Sequence, residues 1–318
     1  MGSLGDTLVS IPGLQAIRDH FKDDEIYMLT NVPVQGSGAS PEEIISGAGL
    51  VDHFLYFKGG NIFSILKEII SLRIKKFHHL IYLVRNPVER WKRDKTFFKL
   101  LGCKTVSAQG CSNKTHITDQ ILERLDNSGI SLEKDIKSCY RKLYESETFP
   151  DYLPENFIGF GIGGKKSLTK WNINNYQELS NLIIQNHPDK KILLLGGTGD
   201  FESGEKISNM NSSIINICGK FPVKQSLKVL EKCTVFIGND TGTIHMAAAV
   251  GVRCLGIYSS HDEIGLWHPY GDQHLVLRDD SLECIKCKLT SCPYDNQCLK
   301  SITPYNVFNN FQKMINEV

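Results

Sequence analysis

The chain has 318 residues, which exceeds the size of one ordinary hydrophobic core and favours two domains. Hydrophobic residues make up 41% and charged residues 22%, with a formal net charge of +1, so the composition excludes a disordered chain and a broadly basic nucleic-acid-binding protein. No apolar stretch approaches the roughly 18 to 20 residues that cross a bilayer, and the N-terminus lacks the layout of a signal peptide, so we expect a cytoplasmic protein.

The chain opens with a glycine-containing segment and a predicted amphipathic helix. Apolar residues recur on one face of this helix, at Leu8, Ile11, Leu14, Ile17 and Phe21. Gly2 and Gly5 predict a flexible loop before the helix, and Asp6 stands at its start. The helix dipole favours a carboxylate there, so Asp6 taken alone is explained as a helix cap.

From Glu25 onward, short apolar runs alternate with helix-length amphipathic stretches, which is typical of a parallel sheet with crossover helices. Strands are predicted at EIYMLTN from Glu25, HFLYF from His53, HHLIYLV from His78 and TVSAQ from Thr105. Helices are predicted at Ile62 to Lys75, Val88 to Leu101, Ile117 to Asn127 and Leu132 to Leu143. Gly102 stands where a helix C-cap is expected.

The helix predicted over Val88 to Leu101 lies in a basic and aromatic stretch. This stretch contains Arg85, Arg90, Lys92, Arg93, Lys95, Lys99 and Lys104 together with Trp91, Phe97 and Phe98. Such a helix could meet an anionic membrane face or a phosphorylated glycolipid, and a solvated helix with one buried aromatic edge is the alternative.

A Pro-containing polar segment, FPDYLPEN at Phe149 to Asn156, marks the predicted domain boundary. It divides the chain into an N-terminal lobe, residues 1–152, and a C-terminal lobe, residues 153–318, which ends in a Cys-rich tail and a terminal helix. Buried strands of the second lobe are predicted at NFIGFGIGG, KILLLGG, SIINICG, CTVFIGND and RCLGIYSS. Their alternation with helices predicts a second doubly wound α/β lobe, whose ligands bind at the carboxyl ends of the strands.

Four strand exits, the loops that follow a strand, carry glycine-rich or polar residues in the second lobe, and the last of them, after RCLGIY, reads Ser259-Ser260-His261-Asp262. The first ends in Lys170, and the second places Asp200 after a Gly-Gly turn. The third runs into a small-residue helix and reads Asn239-Asp240-Thr241-Gly242-Thr243-Ile244-His245. Its first three side chains offer caps, and its glycine lets a ligand approach the free amides of the helix start. A diphosphate would bind well there, and a plain helix cap is the alternative.

Single residues of these loops admit two interpretations each. Lys170 could neutralise a leaving diphosphate or be a solvated surface lysine. Asp200 could accept hydrogen bonds from a ribose or a sugar, or it could cap a helix. His245 could reach a phosphate oxygen or pack beneath the loop. We favour the phosphate interpretation because a lysine, a glycine loop and a helix start all leave the same sheet.

Four of the ten cysteines crowd the C-terminal region, while the other six are scattered and are expected to be reduced thiols. The four follow a C-x2-C-x4-C-x5-C pattern at Cys284, Cys287, Cys292 and Cys298. Such thiols could enclose a tetrahedral zinc or iron ion of structural importance. Because only one tight C-x2-C turn is present, unligated thiols are the alternative, and a catalytic role is not expected.

Together these stretches resemble glycosyltransferase family nine, the lipopolysaccharide heptosyltransferases, over nearly the whole chain. The likeness rests on SLGDTLVSIPGLQAIRDHF, the Lys170-Trp171 pair, the GG-x-x-acidic turn and the block GNDTGTIHMAAAVGVRCLGIYSSHDEIGLWHPYGDQHLVL. The resemblance implies an α/β fold of the GT-B type, with two doubly wound Rossmann-like lobes facing a central cleft. It also implies an inverting, metal-independent transfer of a heptose or related sugar from a nucleotide-diphosphate donor, ADP-heptose above others, to a lipopolysaccharide-core or similar glycan acceptor.

The same resemblance assigns roles to residues. Asp6 matches the candidate catalytic base, which takes a proton from the acceptor hydroxyl. The expected donor-binding residues are Lys170, Asp200, Asp240, Thr241, Gly242, Thr243 and His245. The lysine and the helix start would stabilise the departing nucleoside diphosphate. Because no Asp-x-Asp triplet occurs, no metal or other cofactor is expected in catalysis.

The N-terminus departs from the family pattern. A hydrophobic strand usually precedes the loop that carries the aspartate, whereas this sequence begins at the loop itself. We therefore expect either that the true N-terminus lies outside this sequence or that the first lobe lacks a central strand.

Two other functions remain as alternatives. One is a hexosyltransferase or an epimerase that uses a UDP- or GDP-sugar on the same architecture. The other is a non-catalytic nucleotide-sugar-binding or scaffold protein, for which the absent first strand and the cysteine tail are the supporting features. The implied glycolipid acceptor would bring the protein to the inner face of the cytoplasmic membrane as a peripheral protein, and no nucleic-acid partner is expected.

Overall fold

In a computed structural model of the protein, residues 3–32, 39–58, 61–83, 102–103, 105–108, 112–164, 167–289 and 291–316 are described. By contact the chain divides into two compact units, Met1–Cys139 and Tyr140–Val318. The helix predicted over Val88 to Leu101, with the basic and aromatic stretch around it, lies outside the described residues.

The first unit alternates helices with short strands. Its described elements are α1 (Leu4–His20), β1 (Tyr27–Asn31), α2 (Pro41–Ile45), β2 (His53–Phe57), α3 (Ile62–Ile74), β3 (His79–Ile81), β4 (Thr105–Ser107) and α4 (Ile117–Asp126). The four predicted strands and the helices α3 and α4 are therefore confirmed. Of the helices described in either unit, none combines the length and apolarity of a membrane span.

The helix predicted over Leu132 to Leu143 is too long, because the structure confines it to α5 (Ile136–Arg141). Asp135 precedes this helix, and its carboxylate accepts a hydrogen bond from the backbone N–H of Ser138 at 3.3 Å. The aspartate thus acts as an N-cap and fixes the helix start at the next residue.

Helix α1 begins at Leu4, two residues before the predicted start at Asp6, because Ser3 caps it. The backbone N–H of Asp6 donates to Ser3 Oγ at 3.2 Å, and that hydroxyl donates to Asp6 Oδ2 at 2.7 Å. Gly5 therefore lies within the first helical turn, and its expected place in a flexible loop is wrong.

Helix α1 packs closely on α4. At Gly13 a Cβ atom would lie 2.6 Å from Ile121 Cγ2 and 3.2 Å from Leu125 Cδ1. In the interior, Thr118 Oγ1 donates to the backbone carbonyl of Val9 at 3.0 Å. Asp6, in the first turn of α1, is thus held in place by helix packing.

The strands of the first unit form two parallel pairs. Five residues of β1 pair with β2, starting at Tyr27 opposite His53, and three residues of β3 pair with β4, starting at His79 opposite Thr105. Within the described residues no strand joins one pair to the other. The side chains of β2 and β3 are half-buried, apart from the exposed His53.

The second unit contains one continuous sheet. Its strands are β5 (Phe157–Gly161), β6 (Ile192–Leu195), β7 (Ile214–Asn216), β8 (Cys233–Asn239), β9 (Arg253–Ile257) and β10 (Leu275–Leu277). Its helices are α6 (Ile173–Asn186), α7 (Phe201–Ser208), α8 (Val223–Leu230), α9 (Gly242–Ala249), α10 (Gln297–Lys300) and α11 (Pro304–Asn316), with 3-10 turns at Ser167–Thr169 and Thr198–Asp200. The five predicted strands are confirmed, and β10 is an additional strand.

The strands of this sheet are parallel and follow the order β10-β9-β8-β5-β6-β7. From β5 the chain proceeds outward to β6 and β7, and it then returns to the other side of β5 with β8, β9 and β10. The direction of winding thus reverses between β5 and β8, which is the topological switch point of a doubly wound sheet.

Both faces of the central strands are buried. Ile158 and Phe160 of β5 belong to a core cluster that also contains side chains of α6 and α11. On β6, Leu193 points to the opposite face from Leu194, and both are fully buried. Burial on both faces explains why these strands read as continuous apolar runs in the sequence.

Candidate functional site

Three loops meet at the carboxyl ends of β5, β6 and β8. A Cβ atom at Gly163, just after β5, would lie 2.5 Å from Asp200 Oδ2. At Gly164 it would lie 2.9 Å from Lys170 Cγ and 3.3 Å from Thr241 Cγ2. The absence of side chains at these glycines lets the loops after β6 and β8 approach the loop after β5. The structure thus brings together, at the switch point, residues that the sequence placed on separate loops.

Lys170 and Asp200 form an ion pair between two strand exits. Lys170 Nζ donates to Asp200 Oδ1 at 3.0 Å, and Oδ2 of the same carboxylate accepts from the backbone N–H of Gly197 at 3.0 Å. The Asp200 side chain is 14% exposed and the Lys170 side chain 40%. The carboxylate is therefore fixed, while the ammonium stays accessible to a ligand. Asp200 stands at the N-cap of α7 but makes no side-chain cap hydrogen bond there.

Asn239, at the end of β8, connects these loops from within the protein. Its Oδ1 accepts from the backbone N–H of Trp171 at 3.0 Å and from the Tyr176 hydroxyl at 3.1 Å. Its Nδ2 donates to the carbonyls of Gly163 at 3.1 Å and Ile162 at 3.3 Å. The residue is fully buried, these partners all lie outside the following helix, and Thr241 is the N-cap residue of that helix, so the prediction of Asn239 as its cap is wrong. Instead it ties the β8 end to both the glycine exit and the loop that presents the lysine.

Helix α9 begins directly after this strand end. Its N-cap residue, Thr241, makes no side-chain cap hydrogen bond, and its hydroxyl lies 3.0 Å from that of Thr243. Gly242 is the first helical residue. The two hydroxyls and the positive end of the helix dipole therefore lie together at the loop. This is the arrangement that the diphosphate interpretation of the sequence requires.

His245 and Asp240 complete the third loop. His245 lies one turn into α9 and is 7% exposed. Asp240 lies near Tyr258, whose pKa is raised far above its usual value, first by burial and then by the negative charge of that aspartate. The Tyr258 hydroxyl donates to the carbonyl of Trp267 at 2.9 Å. The buried side chain of Tyr258 therefore stays neutral and lies beside the loop that carries Asp240.

Trp171, next to Lys170, is 3% exposed and packs edge-on against Tyr176, with ring centroids 5.0 Å apart. Its indole Nε1 donates to the carbonyl of Ile302 at 2.8 Å. Burial raises the pKa of Tyr176 far above its usual value, so its hydroxyl stays protonated as a hydrogen-bond donor. Sequence reasoning missed the roles of Tyr176 and Asn239, and the one available signal was the polar Asn239 at the end of the apolar strand Cys233–Asn239.

The four tail cysteines line one cavity together with His261, which follows β9. Cys287 Sγ lies 3.7 Å from His261 Nδ1. Burial raises the pKa of Cys298, and the nearby Cys292 and Cys284 contribute to the rise. Among the residues that the structure describes, no three His, Cys, Asp or Glu side chains are arranged to hold a metal ion.

Comparison with known proteins identifies relatives of the whole chain. The sequence model of glycosyltransferase family 9 (heptosyltransferase) matches residues 122–297. Lipooligosaccharide heptosyltransferase 2 of Campylobacter jejuni is 21% identical over 331 aligned residues, covering 98% of this chain and 95% of that protein.

Solved structures of low sequence identity share the fold. A family 9 glycosyltransferase of Veillonella parvula is 17% identical, with a TM-score of 0.70, and the match covers 100% of this chain and 96% of that one. Heptosyltransferase WaaC of E. coli, solved with ADP, is 15% identical, with a TM-score of 0.70, and the match covers 99% and 98% of the two chains. The predicted α/β fold of the GT-B type is therefore confirmed.

The family match extends over more than half of the chain. It includes every predicted donor-binding residue from Lys170 to His245, whereas Asp6 lies before it. The chain belongs to glycosyltransferase family 9 and is a glycosyltransferase of the heptosyltransferase family.

Proposed function

We propose that the protein transfers a heptose or a closely related sugar from a nucleotide-diphosphate donor, ADP-heptose above others, to a lipopolysaccharide or lipooligosaccharide core. The observation that carries this proposal is the convergence of Lys170, Asp200 and Thr241 on the glycine exit of β5 at the switch point. The C. jejuni relative and the ADP bound to the E. coli enzyme support the choice of sugar and nucleotide. Membership of the family favours this catalytic function over a scaffold.

Donor binding is assigned to the second lobe, residues 153–318, and acceptor binding to the first, residues 1–152. The donor diphosphate would bind between the accessible ammonium of Lys170 and the start of α9. The ammonium carries a full positive charge, and the start of α9 carries the partial positive charge of the helix dipole. The hydroxyls of Thr241 and Thr243 can donate hydrogen bonds to phosphate oxygens. The carboxylate of Asp200 holds the ammonium in place. His245 and Asp240 remain proposed donor-binding residues of the same loop.

The proposed reaction is a direct displacement. An acceptor hydroxyl oxygen attacks the anomeric carbon while the bond from that carbon to the diphosphate oxygen breaks, so the configuration inverts. Asp6 takes the proton of the attacking hydroxyl. Lys170 and the α9 start stabilise the charge of the departing nucleoside diphosphate without a metal ion. A metal at the tail cysteines would then have a structural role.

We also propose peripheral contact with the anionic inner face of the cytoplasmic membrane. Helix α3 exposes apolar side chains at helical spacing, namely Phe63, Leu66, Ile70 and Ile74. Basic residues accompany them at Lys67, Arg73, Lys75 and Lys76, and these side chains are also exposed. Apolar contact combined with positive charge is the property of a surface that binds anionic lipid.

Vesicle co-sedimentation tests the membrane contact. The protein should sediment with phosphatidylglycerol vesicles and much less with phosphatidylcholine vesicles, and the double variant Phe63→Ser, Ile74→Ser should lose most of this binding. Tyr152→Ser is the matched control because Tyr152 is 73% exposed at a distant place in the chain. Equal binding of all three proteins would refute the assignment of α3.

Turnover tests the transfer itself. The purified protein is incubated with heptose-free lipopolysaccharide core and with ADP-heptose, UDP-glucose or GDP-mannose, and nucleotide release and product are measured. We expect product from ADP-heptose, with inverted configuration. Release from the UDP- or GDP-sugar instead would contradict the proposed donor, and release without acceptor would favour an epimerase or hydrolase.

Asp6→Asn tests the proposed base. The amide retains a hydrogen-bond acceptor for Ser3, so α1 stays capped while kcat falls about 10²- to 10⁴-fold. Asp19→Asn is the control, because Asp19 lies at the other end of α1 and pairs with Lys134 at 3.0 Å. Unchanged kcat in Asp6→Asn would remove this residue from the mechanism.

A further inference from the structure

The segment that carries the tail cysteines has little apolar packing of its own. Between β10 and α10, its described residues form only turns and irregular structure. Two of its largest apolar side chains, Leu289 and Tyr294, are 41% and 58% exposed. A segment of this kind cannot be ordered by apolar burial alone, and small loop-rich segments use cross-links or metals instead.

The thiols of this segment face a common space. Cys284, Cys287, Cys292 and Cys298 all line the cavity that His261 also borders, and each is partly exposed. Four cysteines elsewhere, at Cys139, Cys218, Cys233 and Cys254, are buried in the apolar interior. Among the described cysteines, therefore, only those of the tail lie close to one another and are also accessible to an ion.

The backbone of the segment is held in unusual conformations. Lys286, Lys288, Asp295 and Asn296 have left-handed φ values between 51° and 55°, which side-chain-bearing residues adopt rarely. The N–H groups of the first two donate to the carbonyls of Ser260, at 2.6 Å, and His261, at 3.1 Å. The C-x2-C turn is thus fastened to the loop after β9, and its thiols stay beside the imidazole.

We propose that Cys284, Cys287, Cys292 and Cys298 bind one Zn²⁺ in a closed tetrahedral site that braces the donor loop. Each thiol gives up its proton to solvent on binding, and four thiolates complete the coordination that zinc prefers in structural sites. The thiols as described do not yet converge on one point, so binding requires side-chain rotations within the shared cavity. His261 lies next to Cys287 and can donate a hydrogen bond to its sulfur.

The cysteine segment contacts the loop that carries Lys170. Leu168 borders the same cavity, and Asn296 Nδ2 donates to the carbonyl of Ser167 at 3.3 Å. On the other side, the indole of Trp171 donates to Ile302, just beyond the cysteine segment. Ordering the segment around zinc would therefore fix the loop from Ser167 to Trp171. This consequence for the donor rests on the proposed function, whereas zinc binding does not.

Metal analysis of the purified full chain tests the site directly. We expect one zinc per chain by elemental analysis, released by a mercurial thiol reagent, and less than a fifth of that amount in Cys287→Ser and in Cys292→Ser. Cys103→Ser is the matched control, because Cys103 is also a partly exposed thiol but belongs to the first unit and should leave the zinc content at one. One equivalent of iron instead of zinc, equal zinc in all variants, or no metal with a tail disulfide would overturn the proposal.

Cobalt substitution provides a readout that does not depend on variants. Co²⁺ bound to the wild-type chain should show thiolate-to-cobalt charge-transfer bands and the intense visible bands of tetrahedral coordination. Weak octahedral bands without charge transfer would overturn the site. A zinc-containing chain that binds no nucleotide would uphold the metal site and refute the proposed donor function, so the two failures are distinguishable.

Discussion

The two units of the protein position their functional residues in different ways. In the second unit, six parallel strands form one sheet that is buried on both faces at its centre, and the proposed donor-binding residues follow its central strands. In the first unit the described strands form two separate pairs, the side chains of β2 and β3 are mostly half-buried, and Asp6 stands on a helix that packs on α4.

This difference shows which contacts the proposed donor binding and the position of the proposed base each depend on. The loops of the proposed donor site are held through Asn239 by hydrogen bonds that connect two neighbouring strand ends. The proposed base depends on the closeness of two helices at Gly13. Damage to the sheet centre should therefore affect nucleotide binding, and damage to the helix contact should affect the position of Asp6.

The largest effect is expected for Asn239→Ala. This change removes a fully buried side chain and leaves the N–H of Trp171 and the carbonyl of Gly163 without their partner. The free energy of unfolding should fall by about 2–4 kcal/mol, as measured by denaturant titration, because buried polar groups lose their hydrogen bonds. Nucleotide affinity should fall as well.

Asn216→Ala is the matched control for that change. Asn216 also ends a strand of the same sheet, is 4% exposed and donates to the Phe201 carbonyl at 3.0 Å, but it lies on the edge strand β7. We expect a similar loss of stability with nucleotide affinity retained in the folded fraction. Equal loss of affinity in both variants would show that Asn239 has no special role at the switch point.

A smaller effect is expected for Gly13→Ala. The added methyl group would lie 2.6 Å from Ile121 Cγ2, so α1 must shift away from α4 at a cost of about 1–3 kcal/mol. Hydrogen exchange should rise in residues 4–20 and 117–126 and stay unchanged in β5 and β8. Unchanged exchange in α1 would show that this contact does not hold the helix.

The smallest effect is expected for Asp52→Asn in the first unit. The N–H of Ile26 donates to this carboxylate at 2.7 Å, and with the Arg18 side chain it lowers the pKa of Asp52. Because the folded pKa is lowered, the stabilisation is present above the usual Asp pKa of about 4 and is lost as the pH falls further. Since the Asp52 side chain is 41% exposed, the substitution should lower the free energy of unfolding by less than about 1 kcal/mol at pH 7. This difference between variant and wild type should vanish in acid. A constant difference between pH 7 and pH 3 would contradict this origin.

Sequence patterns predicted the elements better than the contacts between them. The strands from Phe157 to Ile257 were recognisable because burial on both faces demands continuous apolar runs. The role of Asn239 could not be predicted, because it depends on which strand lies beside β8, and the sequence does not state strand order. The helix after Leu132 was predicted too long because the cap by Asp135 competes with a weak helical pattern.

Binding of ADP, measured by calorimetry, tests most directly whether the second unit holds the donor. ADP should bind more tightly than UDP, GDP or CMP, and Lys170→Ala should weaken it about 10- to 100-fold through loss of a charge-assisted hydrogen bond. Lys190→Ala is the control, because Lys190 pairs with Asp189 at 3.4 Å at the amino end of β6, away from the strand exits. Equal affinity in wild type and Lys170→Ala, or no nucleotide binding at all, would contradict a donor site at the carboxyl ends of β5 and β8.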